Sequence, residues 1–189
     1  MNPAHHIREF HQCFREVTAG CKSVLEVGCG NGSHLRQVHD ATRKVGIEIV
    51  PEYPIAGDGI EFIIGDALGA MKKLGDGGFE LVLLMDIVEH FKKEDGLWVL
   101  RQSQRIASRR VVLWIPEGKC PQSKEYYDSG TYPYRPSQDH LSDWDRKEIA
   151  DLGFDVAVWT AYHFDRSSGT HDKTINALFC IWEPEQSCA

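Results

Sequence analysis

The amino-acid sequence predicts a layered α/β fold, and two observations carry that prediction. Apolar runs that read as strands alternate with helix-length segments from residue 23 to residue 115. The first of these runs ends in a glycine-rich loop, and open α/β sheets bind ligands at such strand ends.

Each element follows in order. Ile7, Phe10, Phe14 and Val17 fall at i, i+3, i+7 and i+10, one stripe of an amphipathic helix over residues 5–18. Strand-like runs at 23–28, 44–49, 61–65, 79–85 and 110–115 are rich in Val, Ile and Leu and apolar on both faces, the pattern of parallel strands covered on two sides. Helix-length segments lie near 32–40, 67–74 and 91–108, and Gly75-Asp76-Gly77-Gly78 is a turn before the fourth strand. Parallel strands joined through helices require right-handed crossovers. Further on, Asp143–Leu152 reads as a helix that Gly153 stops. Ser142 is the expected N-cap, with Asp145 three residues later in place of the usual Glu. Phe154–Tyr162 and Thr174–Trp182 read as two strands, and the short polar loop His163–Lys173 makes them an antiparallel pair.

Residues 116–140 have no helical or strand period. They carry Pro116, Gly118, Pro121, Gly130, Pro133 and Pro136, and four of the six tyrosines: Tyr126, Tyr127, Tyr132 and Tyr134. A long aromatic segment after the fifth strand predicts an ordered lid over the ligand edge of the sheet, since disordered tracts are poor in aromatics.

Composition bounds the rest. A chain of 189 residues is about one domain, so residues 1–189 are expected to form a single unit. No apolar run approaches a membrane span, and Met1–Phe10 is polar and His-rich, unlike a secretory signal. Cys13, Cys21, Cys29, Cys120, Cys180 and Cys188 show no CxxC pairing. Free thiols in the cytoplasm are expected. The net charge is −7, and the basic residues cluster only as pairs such as Lys72-Lys73, Lys92-Lys93 and Arg109-Arg110. That balance speaks against a nucleic-acid partner and for a small-molecule one. No Ser-His-Asp nucleophile elbow and no P-loop are present.

The glycine loop is Glu26-Val27-Gly28-Cys29-Gly30-Asn31-Gly32. A dinucleotide fingerprint needs glycine at 33, where this chain has Ser33. An acid at Glu26 suits a ligand that joins a positive charge to a nucleoside. In these residues the chain resembles motif I of the class I S-adenosylmethionine-dependent methyltransferases. The resemblance continues through Gly46-Ile47-Glu48, Ile64-Gly65-Asp66-Ala67, Phe79–Asp86 and Arg110–Pro116, and covers roughly residues 22–182.

The resemblance implies a Rossmann-like three-layer sandwich with a seven-stranded, mostly parallel sheet whose last strand is antiparallel. It implies S-adenosylmethionine as cofactor, held by the loop residues Gly28, Cys29, Gly30 and Asn31. Glu26 is expected near the methionyl amino group, and Glu48 on the ribose hydroxyls. Asp66 is expected at the adenine amino group, beside Gly65, with the Ala67 N–H on the ring. Met85 and Asp86 are expected beside the donor methyl and the acceptor. The N-terminal arm, residues 1–20, either closes over the pocket as in similar proteins or simply packs on the core.

Asp86-Ile87-Val88-Glu89-His90 leaves three readings open: a general base, loop orientation, or metal ligation. The last rests on similarity to small-RNA 2′-O-methyltransferases and ubiquinone-pathway O-methyltransferases, which have Glu where this chain has Asp86. The expectation is a metal-independent enzyme that methylates a small molecule at oxygen, with Asp86, His90 and His140 as the catalytic set. An RNA or protein modifier, an oxidoreductase and an inactive cofactor-binding module are the alternatives.

Overall fold

The computed structural model describes residues 3–120, 135–164 and 174–185. Seven strands form one sheet: β1 (Ser23–Val27), β2 (Arg43–Glu48), β3 (Ile60–Ile64), β4 (Phe79–Met85), β5 (Ala107–Pro116), β6 (Asp155–Phe164) and β7 (Thr174–Trp182), in the order β3-β2-β1-β4-β5-β7-β6. β1 pairs in parallel with β2 and β4, while β7 runs antiparallel between β5 and β6. The chain order reverses across β1 and β4, and that switch point opens a crevice at their carboxyl ends.

Side-chain alternation along β4 sets the layers. Leu81, Leu83 and Met85 pack with Phe10 and Phe14 of α1 (Pro3–Thr18) and Leu35 of α2 (Ser33–Gln37). Val82 and Leu84 face the other way, onto Met71 of α3 (Ala67–Met71), Val99 and Leu100 of α4 (Lys93–Ile106) and Ile149 of α5 (Arg146–Asp151). The period of two along a strand buried on both faces produces the three-layer sandwich the sequence predicts.

Several elements differ from the sequence expectation. The helix expected over 32–40 is only Ser33–Gln37; Gly32 precedes it at φ 82° with no side-chain cap. Ser142 does not cap α5. Asp145 does, accepting from the Glu148 N–H while Glu148 reaches back to the Asp145 N–H. Ser142 Oγ instead accepts from Trp144 Nε1 at 2.9 Å. Asp145 stands directly before the first helical residue with Glu148 three positions on, completing a capping box, and its charge favours the helix dipole, whereas Ser142 lies three residues too early. β6 runs on to Phe164 rather than ending at Tyr162, through an irregularity between Trp159 and His163 where Ala161 takes φ 57°.

The N-terminal arm packs on the sheet. Phe14 is fully buried and the Phe10 ring stands edge-on to Trp114, with centroids 5.0 Å apart. Burying each phenyl ring is worth about 1.5–3 kcal/mol. Residues 121–134 of the expected lid, with all four of its tyrosines, lie outside the described residues. Among those described, no helix is long and apolar enough to cross a membrane.

Candidate functional site

The carboxyl ends of β1 to β4 surround one cavity of about 350 Å³, within the size range of small-molecule pockets. The glycine loop forms one wall. The Gly28 and Cys29 N–H groups both donate to Ile47 O, at 2.8 and 3.0 Å, which turns the chain sharply after β1. Gly28 sits at φ 70°, and a Cβ there would lie 2.4 Å from Ile87 Cδ1. This glycine is therefore required twice, for its conformation and for close packing. Gly30, at φ 52°, has open space where a Cβ would be, so its backbone is accessible from the cavity.

Glu48, at the end of β2, is 6% exposed and lines the cavity. Its Oε2 accepts from the Gly30 N–H and its Oε1 from the Val50 N–H, both at 2.8 Å. Each carboxylate oxygen has room for a second donor. Glu48 thus fastens the glycine loop to β2 and still offers two acceptor positions to a ligand. Asp66 combines two roles in the same way. It caps α3 by accepting from the Gly69 N–H at 2.7 Å, and together with Gly65 and Ala67 it lines the cavity.

Asp86 follows β4 at φ 48°, a conformation strained for a residue with a Cβ. Its N–H donates to Trp114 O at 2.8 Å, which fixes the turn, and its half-exposed carboxylate faces the cavity. Non-glycine residues are held in such conformations only where the surrounding structure over-determines them, and they concentrate at functional sites.

A single 3₁₀ turn, Val88–His90, comes next. Glu89 O accepts from the Leu141 and Ser142 N–H groups, at 2.8 and 3.1 Å, and the His90 Nδ1–H donates to Asp139 O at 3.1 Å. These bonds bring residues 135–142 against the cavity, where Ser137 and Gln138 join His90 in lining it. His140 does not line it; its ring stands edge-on behind His90, with centroids 4.8 Å apart. Burial lowers the basicity of His90 and pushes the Glu89 carboxyl well above the carboxylate range, reinforced by the nearby Asp86 charge.

Four expected cofactor residues do not reach the cavity wall. Met85 and Cys29 are buried in the α1-side core. Cys29 fills the space left by the missing side chain of Gly46, whose Cβ would lie 2.4 Å from its Sγ. Glu26 is 1% exposed, with Oε1 2.8 Å from His34 Nδ1 and Oε2 without a partner. Burial pushes the Glu26 carboxyl up. Its bond and charge in turn outweigh burial at His34 and raise that imidazole. Asn31 lines an adjoining groove with Tyr53 and Gln138, and its Oδ1 accepts from the Ser33 N–H at 3.0 Å.

Sequence reasoning missed His34, Tyr53, Gln138 and His163. No motif marks them. His34 lies eight positions beyond Glu26 and meets it only because α2 folds back over β1.

Comparisons with known proteins agree with this architecture. The chain is similar in structure to an S-adenosylmethionine-dependent methyltransferase from Archaeoglobus fulgidus, with a TM-score of 0.64, 16% identity, and coverage of 94% of this chain and 93% of that one. It is also similar to magnesium protoporphyrin IX methyltransferase from Synechocystis PCC 6803, solved with bound S-adenosylhomocysteine. There the TM-score is 0.55 and the identity 18%, over 92% of this chain and 84% of that one. A third is 1,6-didemethyltoxoflavin-N1-methyltransferase from Burkholderia thailandensis, with a TM-score of 0.61 and 13% identity over 93% and 77% of the two chains. No curated protein sequence matches the chain. The family described as methionine biosynthesis protein MetW matches residues 8–121, from α1 through the glycine loop and the Asp86–His90 turn to the end of β5. The chain has the class I methyltransferase fold and belongs to the MetW family.

Proposed function

We propose that this protein is an S-adenosylmethionine-dependent methyltransferase of a small molecule, acting at oxygen by in-line transfer. One observation carries the reading. A cavity at the switch point of the sheet is walled on one side by an open glycine backbone and two strand-end acids, and on the other by a strained acid and a histidine.

The residues fit that cofactor. Glu48 retains acceptor positions for two ribose hydroxyls, and Asp66 with the Ala67 N–H can bracket an adenine edge. Glu26 Oε2, buried and unpartnered behind the cavity wall, can serve a cationic amino group through a bridging water. When bound, the cofactor supplies a methyl group activated on a sulfonium. The chain then has to orient the acceptor and take up its proton. Asp86 and His90 present proton-accepting atoms to the cavity. His90 donates through Nδ1 and is made less basic by burial, so its neutral form keeps a lone pair on Nε2. The net charge of −7 favours a small acceptor over RNA.

Calorimetric titration tests the reading. S-adenosylhomocysteine is expected to bind with a stoichiometry of one, and NAD not at all. An NAD isotherm without one for S-adenosylhomocysteine would overturn it.

A further inference from the structure

The sequence expectation is metal independence: the Asp86–His90 turn offers only two carboxylates, Asp86 is one methylene shorter than the Glu of the metal-using families, and a second histidine is needed, for which His140 is the one plausible donor. The fold supplies that histidine. Glu89, His90 and His140 each present a donor atom within 4.8 Å of the other two. They come from separate pieces of chain: the 3₁₀ turn after β4 and the segment that its backbone bonds hold in place.

Three further features prepare this cluster for a cation. Glu89 is 2% exposed, and its Oε2 has no hydrogen-bond partner. A buried carboxylate oxygen left in that state is costly unless something positive meets it. The His90 Nδ1–H is committed to Asp139 O, which fixes the ring and leaves Nε2 as the donor. Metal-bound histidines are typically oriented in this way by a carbonyl on the other nitrogen. The rings of His90 and His140 stand at 83° to each other, so they approach from different directions. Bonds of about 2.0–2.2 Å hold tetrahedral donors about 3.3–3.6 Å apart, so donors at the 4.8 Å limit must close by about 1.2–1.5 Å, a movement on the scale of side-chain rotation.

We propose that Glu89, His90 and His140 form a binding site for one divalent transition-metal ion at the wall of the cavity. The donor set decides the class of ion. Two imidazoles and one carboxylate suit zinc, cobalt, nickel or ferrous iron, whereas magnesium and calcium favour an all-oxygen shell. Asp86 lies outside the set: its carboxylate faces the cavity and His163, 3.8 Å from Oδ1. An ion on His90 Nε2 leaves Asp86 as the proton acceptor of the methyl-transfer reading. It also gives the cavity wall a positive charge that would attract an acceptor oxygen.

Cobalt(II) is the probe, added to the full chain after chelation and desalting. One equivalent is expected to bind, to give visible d–d bands and to be displaced by zinc. His140→Ala and Glu89→Gln should each weaken binding at least tenfold with the circular dichroism of the fold retained. Replacing His5 and His6 by alanine should leave the bands unchanged. If the wild-type chain binds no cobalt, or if binding follows His5 and His6, the site does not exist. Binding lost in Asp86→Asn but kept in His140→Ala would overturn this ligand set. Neither Glu89→Gln nor His140→Ala is expected to change S-adenosylhomocysteine affinity more than twofold, so failure of the metal site leaves the cofactor reading to be judged separately.

Discussion

His163 Nε2 lies 3.8 Å from Asp86 Oδ1, across the carboxyl edge of the sheet. The irregularity in β6 and the left-handed turn at Ala161 place His163 there. Irregularities of this kind re-aim side chains near functional sites. The pairing makes Asp86 the acid on which the cavity and the β6–β7 edge converge. Burial first, and then the Asp86 charge, make the Tyr162 hydroxyl less acidic than a free one.

Asp86→Asn should separate chemistry from folding. Asn tolerates a left-handed backbone as well as Asp does, so the denaturant midpoint should stay within about 0.5 kcal/mol of the wild type. Turnover should fall by about 10²-fold or more, the scale for losing a proton acceptor. S-adenosylhomocysteine affinity should be retained. Steady-state kinetics paired with calorimetry checks it, and an equal loss in both would mean that Asp86 serves binding instead.

Glu48→Ala should weaken S-adenosylhomocysteine binding by about 1–3 kcal/mol. Because it also strips the Gly30 and Val50 N–H groups of their acceptor, it should lower stability by a similar amount. Asp66→Asn should weaken binding less, since an amide oxygen still accepts. Titration calorimetry and urea melts on the same samples separate the two losses.

Gly28→Ala should be destabilising by about 1–2 kcal/mol from its left-handed backbone alone, with a further loss from the clash against Ile87. Adding Ile87→Ala removes the Cδ1 and Cγ1 atoms that the new methyl group meets, and should recover part of the second loss. A double-mutant cycle of unfolding free energies measures that recovery. Strict additivity would show that the close packing is not what restricts the position.

The Glu26–His34 pair predicts a pH dependence with a definite sign. Both groups have folded values above their ordinary ones of 4.5 and 6.5. The folded state therefore holds more protons than the unfolded state, and stability falls as pH rises above 4.5 through the folded value of Glu26 and above 6.5 through that of His34. Glu26→Gln removes the charge that raises His34, keeps only a neutral acceptor for its Nδ1–H, and leaves burial, which lowers it. In that variant the slope should vanish or reverse. Denaturant midpoints measured from about pH 5 to 8, the range in which His titrates, give the comparison.

The sheet was legible because its strands are buried on both faces, so Val, Ile and Leu run together in Val24–Leu25, Leu81–Leu84 and Val111–Ile115. The glycine loop was legible because Gly28 and Gly30 answer to backbone needs that other residues meet poorly. Strand-end acids were partly legible: Glu48 and Asp66 reach the cavity, but both also bind backbone N–H groups, a role that spacing cannot separate from ligand binding. Met85 and Glu26 show the limit of a linear reading. Position at a strand end does not say which face a side chain takes, and alternation turned Met85 into the core. His34, His140 and His163 reach their partners through tertiary packing, which no local pattern records.

Trp144 gives the fold a property that bears on redesign. Its ring fills the hollow above Gly96, whose Cβ would meet it at 2.6 Å, and Lys93 Nζ lies 3.7 Å from the ring centroid. Trp144 O accepts from the Gly118 N–H at 2.6 Å, which clasps the chain just after β5 to the residue ahead of the α5 cap. Closing a longer excursion between fixed ends adds only about 0.6 kcal/mol per doubling of length. A graft placed after Gly118 must keep residues 135–144, because Ser137 and Gln138 line the cavity and the bonds from Glu89 and His90 to residues 139–142 hold that wall. With those residues kept, new sequence can be tied at both ends to the same body that carries the glycine loop.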